Sequence, residues 1–158
     1  MRNIVLARID DRLIHGQVVT SWVKHTNATS IVIVDDPLTK NTFMQRLLRA
    51  AAPQGISVEI LGREDAVSYL TGSPVAGENI ILLTKAPEYI EALIDGGVSM
   101  SKVILGGMGA KEGRKRFNRN VSASDEEVET IKRILGKDVE MYYQLVPEER
   151  AEDVRKLV

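Results

Sequence analysis

Ile4-Val5-Leu6-Ala7-Arg8-Ile9-Asp10-Asp11-Arg12-Leu13-Ile14-His15-Gly16-Gln17-Val18 is the stretch on which the fold of this chain turns. Ile4 to Ala7 is continuously apolar, as a strand covered on both faces should be. From Val18 to Thr26 the apolar residues Val18, Val19, Trp22 and Val23 recur at helical spacing. Between strand and helix lies a turn carrying arginines, aspartates, one histidine and one glycine. In open α/β sheets the first strand-to-helix turn sits at the carboxyl edge, where ligands bind.

The same alternation continues downstream. Ser30–Val34 reads as a second strand, ended by Asp35-Asp36-Pro37. A helix from about 41 to 52 has Phe43, Met44, Leu47, Leu48 and Ala51 on its apolar side, and Pro53 and Gly55 close it. Strands follow at Ile56–Leu61, Asn79–Thr84, Lys102–Leu105 and Asp138–Val146. The partial alternation of Ile56–Leu61 places that strand nearer the sheet edge. A short helix spans Glu64–Tyr69. Pro87 opens another, with Ile90, Leu93 and Ile94 inward and Gly96-Gly97 as its stop. Ser124 and Glu127 fit a capping box for a fifth helix. Pro147 is expected to start a short terminal helix, and the last strand could run either way. A glycine-rich basic loop is expected from Gly106 to Asn120, with Gly106 and Gly107 allowing a tight turn. The expected fold is one α/β domain over 1–158: a mainly parallel twisted sheet of about six to seven strands with helices on both faces.

Composition narrows the function. A formal charge of −1 gives no global reason to expect nucleic acid or an anionic membrane as partner. The absence of cysteine excludes disulfides, thiolate metal sites and cysteine nucleophiles. With only two histidines, a His-based metal site has little support, and no metal or cofactor is expected. There is no signal-like N-terminus, and no apolar stretch approaches the roughly 20 residues of a membrane helix. The expected location is the cytoplasm, compatible with docking on a membrane system.

The first turn is neither Gly-x-Gly-x-x-Gly nor Gly-x-x-x-x-Gly-Lys-Ser/Thr, so neither a dinucleotide site nor a nucleotide P-loop is supported. It offers a neutral imidazole as nucleophile, His15. Arg8 and Arg12 provide two guanidinium forks for phosphoryl oxygens. Backbone donors near Gly16, at the start of the helix, favour an anion. Asp10 or Asp11 can hold the arginines or fix the imidazole tautomer. Such a set suffices for phosphoryl transfer without a metal. Taken by itself, a histidine in a charged turn is also an ordinary surface residue, and Arg/Asp pairs are ordinary solvated ion pairs. His25, at the end of the first helix, reads as a cation suited to a helix C-terminus.

The run Arg8-Ile-Asp-Asp-Arg-Leu-Ile-His15-Gly-Gln-Val18 resembles the phosphorylation-site motif of IIB components in the mannose/fructose/sorbose class of the bacterial phosphotransferase system. Trp22, Ile104-Leu105-Gly106-Gly107-Met108, Val121-Ser122 and Val146-Pro147 extend the resemblance over the whole chain. Val103 and Ile104 stand where that family often has an Asn. The resemblance implies that His15 accepts a phosphoryl group from phosphohistidine on a IIA component. It then passes the group to a sugar bound by the membrane IIC/IID components. Arg12 and Arg8 would stabilise the phosphoryl group, Asp10 would orient the site, and Arg12, Gly16 and Gln17 would bind phosphate. The basic residues Lys111, Arg114, Lys115, Arg116 and Arg119 read as a solvated loop or as a docking surface. The apolar content permits a homo-oligomer.

Two other functions compete. A receiver-like phosphoacceptor module is suggested by Asp10-Asp11 after the first strand, but Leu61-Gly62 stands where the acceptor Asp should follow strand three. An RNA-binding role for the basic loop lacks a stacking platform, since Phe117 is the loop's one Phe.

Overall fold

In the computed structural model, which describes residues 1–158, the chain begins with β1 (Ile4–Asp10), α1 (Gly16–Thr26), β2 (Ser30–Val34), α2 (Thr42–Ala51) and β3 (Ser57–Leu61). It continues through α3 (Arg63–Leu70), β4 (Ile80–Thr84), α4 (Pro87–Asp95), β5 (Lys102–Gly107), β6 (Lys115–Asn118) and β7 (Val121–Ala123). It ends with α5 (Asp125–Leu135), β8 (Glu140–Tyr143) and β9 (Glu152–Asp153). Short 3-10 turns occupy Pro37–Lys40 and Val154–Lys156. Seven strands form one sheet in the order β3-β2-β4-β1-β5-β8-β9, while β6 and β7 make a separate hairpin. Every neighbouring pair in the large sheet is parallel except β8 with β9.

Strand periodicity explains the layers. Ile31 and Ile33 of β2, with Ile81 and Leu83 of β4, join a core under α1 and α2. Their neighbours Val32, Val34, Ile80 and Leu82 point the other way, into the core beneath α3, α4 and α5. Both strands are buried along their whole length, which is why they read as continuous apolar runs. β3 lies at the edge, as its alternation indicated. The helix ends follow their sequence signals. Asn41 accepts from the Met44 N–H to cap α2, and Ser124 and Glu127 form a complete capping box on α5.

Four expectations are corrected. β1 does not stop at Ala7 but runs to Asp10, because Arg8 and Asp10 neutralise each other inside the sheet. On α2, Leu48 is buried, but Phe43 and Leu47 are 65% and 48% exposed, so its apolar side is only partly covered. No helix starts at Pro147. Gln144 Nε2 donates to the Pro147 and Glu149 carbonyls, and Glu149 accepts from the Leu145 N–H, which holds the segment as a loop leading into β9. Gly106 and Gly107 make no tight turn; they belong to β5.

The last correction matters for the site. Ile9 pairs with Leu105, but Asp10 pairs with Gly107, so Gly106 is an extra residue that bulges β5 beside the end of β1. A Cβ at Gly106 would run into the Arg8 guanidinium. The glycine is needed there for space. The connection leaving β1 travels to β2 on one side, and that leaving β5 travels towards β8 on the other. The crevice between their carboxyl ends is the topological switch point of the sheet. Replacing Gly106 by Ala is expected to destabilise the protein by about 1–3 kcal/mol through overpacking against Arg8. Chemical denaturation measures this, and an unchanged midpoint would show that Arg8 does not occupy that space.

Candidate active site

Alternation along β1 sends Ala7 and Ile9 into the core under α3 to α5. Arg8 and Asp10 therefore point to the opposite side, towards α1. Asp10 is the last strand residue and is fully buried. After it the chain turns sharply. The Leu13 N–H donates to the Asp10 carbonyl at 2.9 Å, and Leu13 takes a left-handed φ of 56°. Burial of Leu13 and Ile14 under α1 holds this unusual backbone in place. His15 follows in extended conformation as the residue capping α1, and Gly16 has a φ of 45°. The turn thus folds His15 back over Asp10.

Five contacts converge on the Asp10 carboxylate. Oδ1 accepts from the Arg12 backbone N–H at 3.1 Å and from Arg12 Nε at 3.0 Å. Oδ2 accepts from Arg12 Nη2 at 3.0 Å and from Arg8 Nη2 at 3.2 Å, and lies 3.1 Å from His15 Nε2. An ionised carboxylate only accepts hydrogen bonds, so Nε2 must carry the imidazole proton. Nδ1 makes no hydrogen bond within the chain, and in the neutral ring it is the nitrogen that carries the lone pair. His15 is partly exposed, and Arg12 is about half exposed with its Nη1 uncommitted.

Arg8 differs from Arg12 in its surroundings. It is 1% exposed, its Nη1 donates to the Gln144 carbonyl at 2.9 Å, and its guanidinium lies 5.5 Å from the Trp22 ring centroid. Trp22 is fixed by its own indole N–H, which donates to the Leu145 carbonyl at 2.9 Å. The loop after β8 thus supplies two carbonyls that hold the cation and its aromatic neighbour.

The charges respond to this packing. Burial alone would raise the Asp10 carboxyl, but hydrogen bonds from Arg12 and the charges of Arg8 and Arg12 outweigh it, leaving it below the ordinary carboxylate value. Burial lowers Arg8 from the usual guanidinium value, although Asp10 opposes the shift. The hydrogen bonds to Asp10 raise Arg12.

A second clamp reaches the site from α5. Asp11 Oδ2 accepts from the Gly109 N–H at 2.7 Å and from Arg114 Nη1 at 3.3 Å. Arg114 also donates a two-pronged pair to Glu127, at 2.9 Å each. Burial would raise Glu127, but Arg114 overrides it and holds the carboxyl low. Glu127 is the capping-box residue, so the same carboxylate secures the α5 start and the loop beyond β5.

The sequence-based residues divide accordingly. His15, Arg12, Arg8 and Asp10 form one cluster. Gly16 and Gln17 open α1 beside His15, on its first turn, where N–H groups have no intrahelical partner. Of the basic loop, Arg114 is consumed by Asp11 and Glu127, Lys115 pairs with Asp125, and Arg119 pairs with Glu149. A cleft of about 520 Å³ is lined by Arg12, Arg116, Arg119, Asn118, Asn120 and the segment from Gly107 to Ala110. It adjoins the cluster at Asp11 and Arg12, and His15 is not among its lining residues. His25 packs edge-on against Trp22 at 6.0 Å, in keeping with a structural role. Sequence reasoning missed the Gln144 and Leu145 carbonyls and the Arg114–Glu127 clamp. No local motif marks a backbone carbonyl, and Glu127 was visible only as a helix cap. The strand order also differs from the 2-1-3-4-5 order of receiver-type sheets, which removes the fold-level support for that alternative.

A family description, PTS system sorbose subfamily IIB component, matches residues 4–158. The chain is 36% identical over 138 residues to the mannose-specific EIIAB component of Escherichia coli K12, covering 87% of this chain and 43% of that protein. It therefore spans less than half the length of that relative. It is 32% identical to the sorbose-specific EIIB component of Lacticaseibacillus casei, covering 96% of this chain and 92% of the relative. The crystal structure of the IIB domain of the sorbose permease from Klebsiella pneumoniae superposes with a TM-score of 0.93 at 30% identity, covering 98% of this chain and 94% of that one. No helix here is long and apolar enough to cross a membrane.

The lowered Asp10 carboxyl has a consequence for stability. A carboxyl that titrates lower when folded contributes stability above its unfolded value, about pH 3.9 for Asp, and loses it as pH falls through the folded value. Acid unfolding of the native protein should show this loss below about pH 4. In Asp10→Asn the component disappears, and the protein is less stable at neutral pH by about 3–5 kcal/mol because Arg8 is left buried without its counter-charge. Equal neutral-pH stability of the two proteins would contradict the assignment.

Proposed function

The chain belongs to the sorbose subfamily of phosphotransferase-system IIB components, and from that membership we propose that it is a phosphocarrier in which His15 is the residue phosphorylated. The observation that carries the proposal is the His15 Nε2–Asp10 contact, which leaves Nδ1 as the nucleophile. The Nδ1 lone pair attacks phosphorus on a donor phosphohistidine of a IIA component, a new N–P bond forms, and the donor N–P bond breaks. The Nε2 proton stays where Asp10 holds it. The positive charge that develops on the phosphorylated ring is met by the Asp10 carboxylate.

Phosphoryl transfer spreads negative charge over the equatorial oxygens, so catalysis is positioning and charge stabilisation. Arg12 is suited to this role. Two of its nitrogens are pinned to Asp10, which aims the guanidinium, and Nη1 is free to meet a phosphoryl oxygen. The first N–H groups of α1, at Gly16 and Gln17, add donors and a favourable dipole. Arg8 is too buried to touch the phosphoryl group and acts as a positioning residue through Asp10. The second half-reaction passes the group from Nδ1 to a hydroxyl of a sugar held by membrane IIC/IID components. The chain would work in the cytoplasm, at the surface of that permease. Residues 1–158 act together as one IIB domain.

Incubation with phosphoenolpyruvate, the general phosphotransferase proteins and a IIA component is the test. One phosphoryl group should appear on His15 and be lost in acid, as phosphohistidine is. His15→Ala should fold normally and take no label; retained label in that variant would refute the proposal. Arg12→Ala should slow transfer by about 10²–10³-fold, the usual effect of removing one charge-stabilising donor. An unchanged rate would remove Arg12 from the mechanism.

A further inference from the structure

The net charge of −1 conceals a division of charge between the two helical layers. α1 and α2, which cover one face of the sheet, contain no Asp or Glu. Their charged side chains are cationic: Lys24 in α1, and Arg46 and Arg49 in α2, with Lys40 in the 3-10 turn that leads into α2. None of these four makes an ion pair, and all are exposed. On the other face, α3, α4 and α5 each carry acidic residues in their first turn, and α5 has three there.

The cationic layer also carries the main exposed apolar pair of the molecule. Phe43 and Leu47 are four residues apart on α2, with Ala51 a further turn along the same face. Arg46 lies beside that stripe, and Arg49 a further step round the exposed side of the helix. A basic amphipathic surface with an aromatic anchor has the chemistry of a face that lies on an anionic lipid surface. α1 begins beside His15, so the reactive edge lies at the rim of this layer.

We propose that the α1–α2 face rests on the anionic lipid surface around the permease, with Phe43 and Leu47 entering the headgroup region and Lys40, Arg46 and Arg49 meeting lipid phosphates. This rests on the carrier role proposed above. Charge decides between lipid and the alternatives. Cytoplasmic loops of membrane proteins are enriched in Lys and Arg, so they repel a basic face, whereas anionic headgroups attract it. A second copy docked through the same face would set Arg46 and Arg49 against like charges. The acidic layer then points away from the surface, so the charge separation orients the carrier as well as attracting it. A few cations and two apolar side chains give weak, reversible attachment, as a carrier visiting two partners requires.

The test is flotation of the purified protein with vesicles free of any other protein, either half phosphatidylglycerol and half phosphatidylcholine or phosphatidylcholine alone. Binding is expected on the anionic vesicles only and should fall at least tenfold when salt rises from about 50 mM to 500 mM. Arg46→Ala and Arg49→Ala should each weaken it about fivefold. Phe43→Ser with Leu47→Ser should abolish it, whereas Lys132→Ala on α5 should leave it unchanged. Because Phe43 and Leu47 are exposed, these variants should keep the melting temperature and the labelling of His15 by soluble donor. Loss of labelling in the wild type would fail the carrier reading, and lipid binding is measured apart from it. Equal binding to both vesicle types, or binding only when a permease is present, would overturn the proposal.

Discussion

The Asp10 carboxylate is the constraint on which the rest of this structure depends. Fully buried, it must be matched, because an unpaired charge in the interior costs several kcal/mol. It is matched by Arg8 from its own strand, by Arg12 from the turn and by the His15 imidazole at the helix start. Each contact then imposes a requirement further out. Arg8 needs the Gln144 carbonyl and the space left by Gly106. The Gln144–Leu145 segment needs Glu149 and the loop before β9 to hold it. The bulge at Gly106 sets the register of β5 against β1. One ionised group thereby ties the centre of the sheet, its far edge and the His15 turn together.

A different network steadies the outer wall of the site. Arg114 bridges Asp11 to Glu127, and Glu127 caps α5. The α5 terminus, the loop past β5 and the residue next to Asp10 are therefore joined by one set of contacts. Arg12 stands between the two networks, pinned on the Asp10 side and open on the side of the cleft. That placement leaves a half-exposed arginine held on one side and open to solvent on the other.

Much of this was legible in the sequence. Alternating apolar runs and helical periodicity gave the order of the elements, because β2 and β4 are buried on both faces and leave no ambiguity of pattern. The His15 turn stood out because an imidazole, two guanidinium groups and two carboxylates fall within eight residues of the sequence. What escaped notice depends on tertiary pairing. Arg8 and Asp10 look like turn residues when read singly, and only their mutual neutralisation lets β1 run through them. The glycines at 106 and 107 suggested a turn, whereas space for a side chain from the neighbouring strand is the real requirement. Phe43 and Leu47 fit the apolar periodicity of α2, yet the core ends at Leu48, and pattern alone does not tell a covered stripe from an uncovered one.

The central claim is that Asp10 fixes the Nε2–H tautomer and thereby directs phosphorylation to Nδ1. Long-range proton–nitrogen NMR on protein labelled with nitrogen-15 in histidine, before and after phosphorylation, measures this directly. The account predicts a protonated Nε2 in the resting protein and phosphorus coupled to Nδ1 in the phosphorylated form. Phosphorus on Nε2 would contradict it, because that nitrogen would have to leave Asp10 for the reaction to occur.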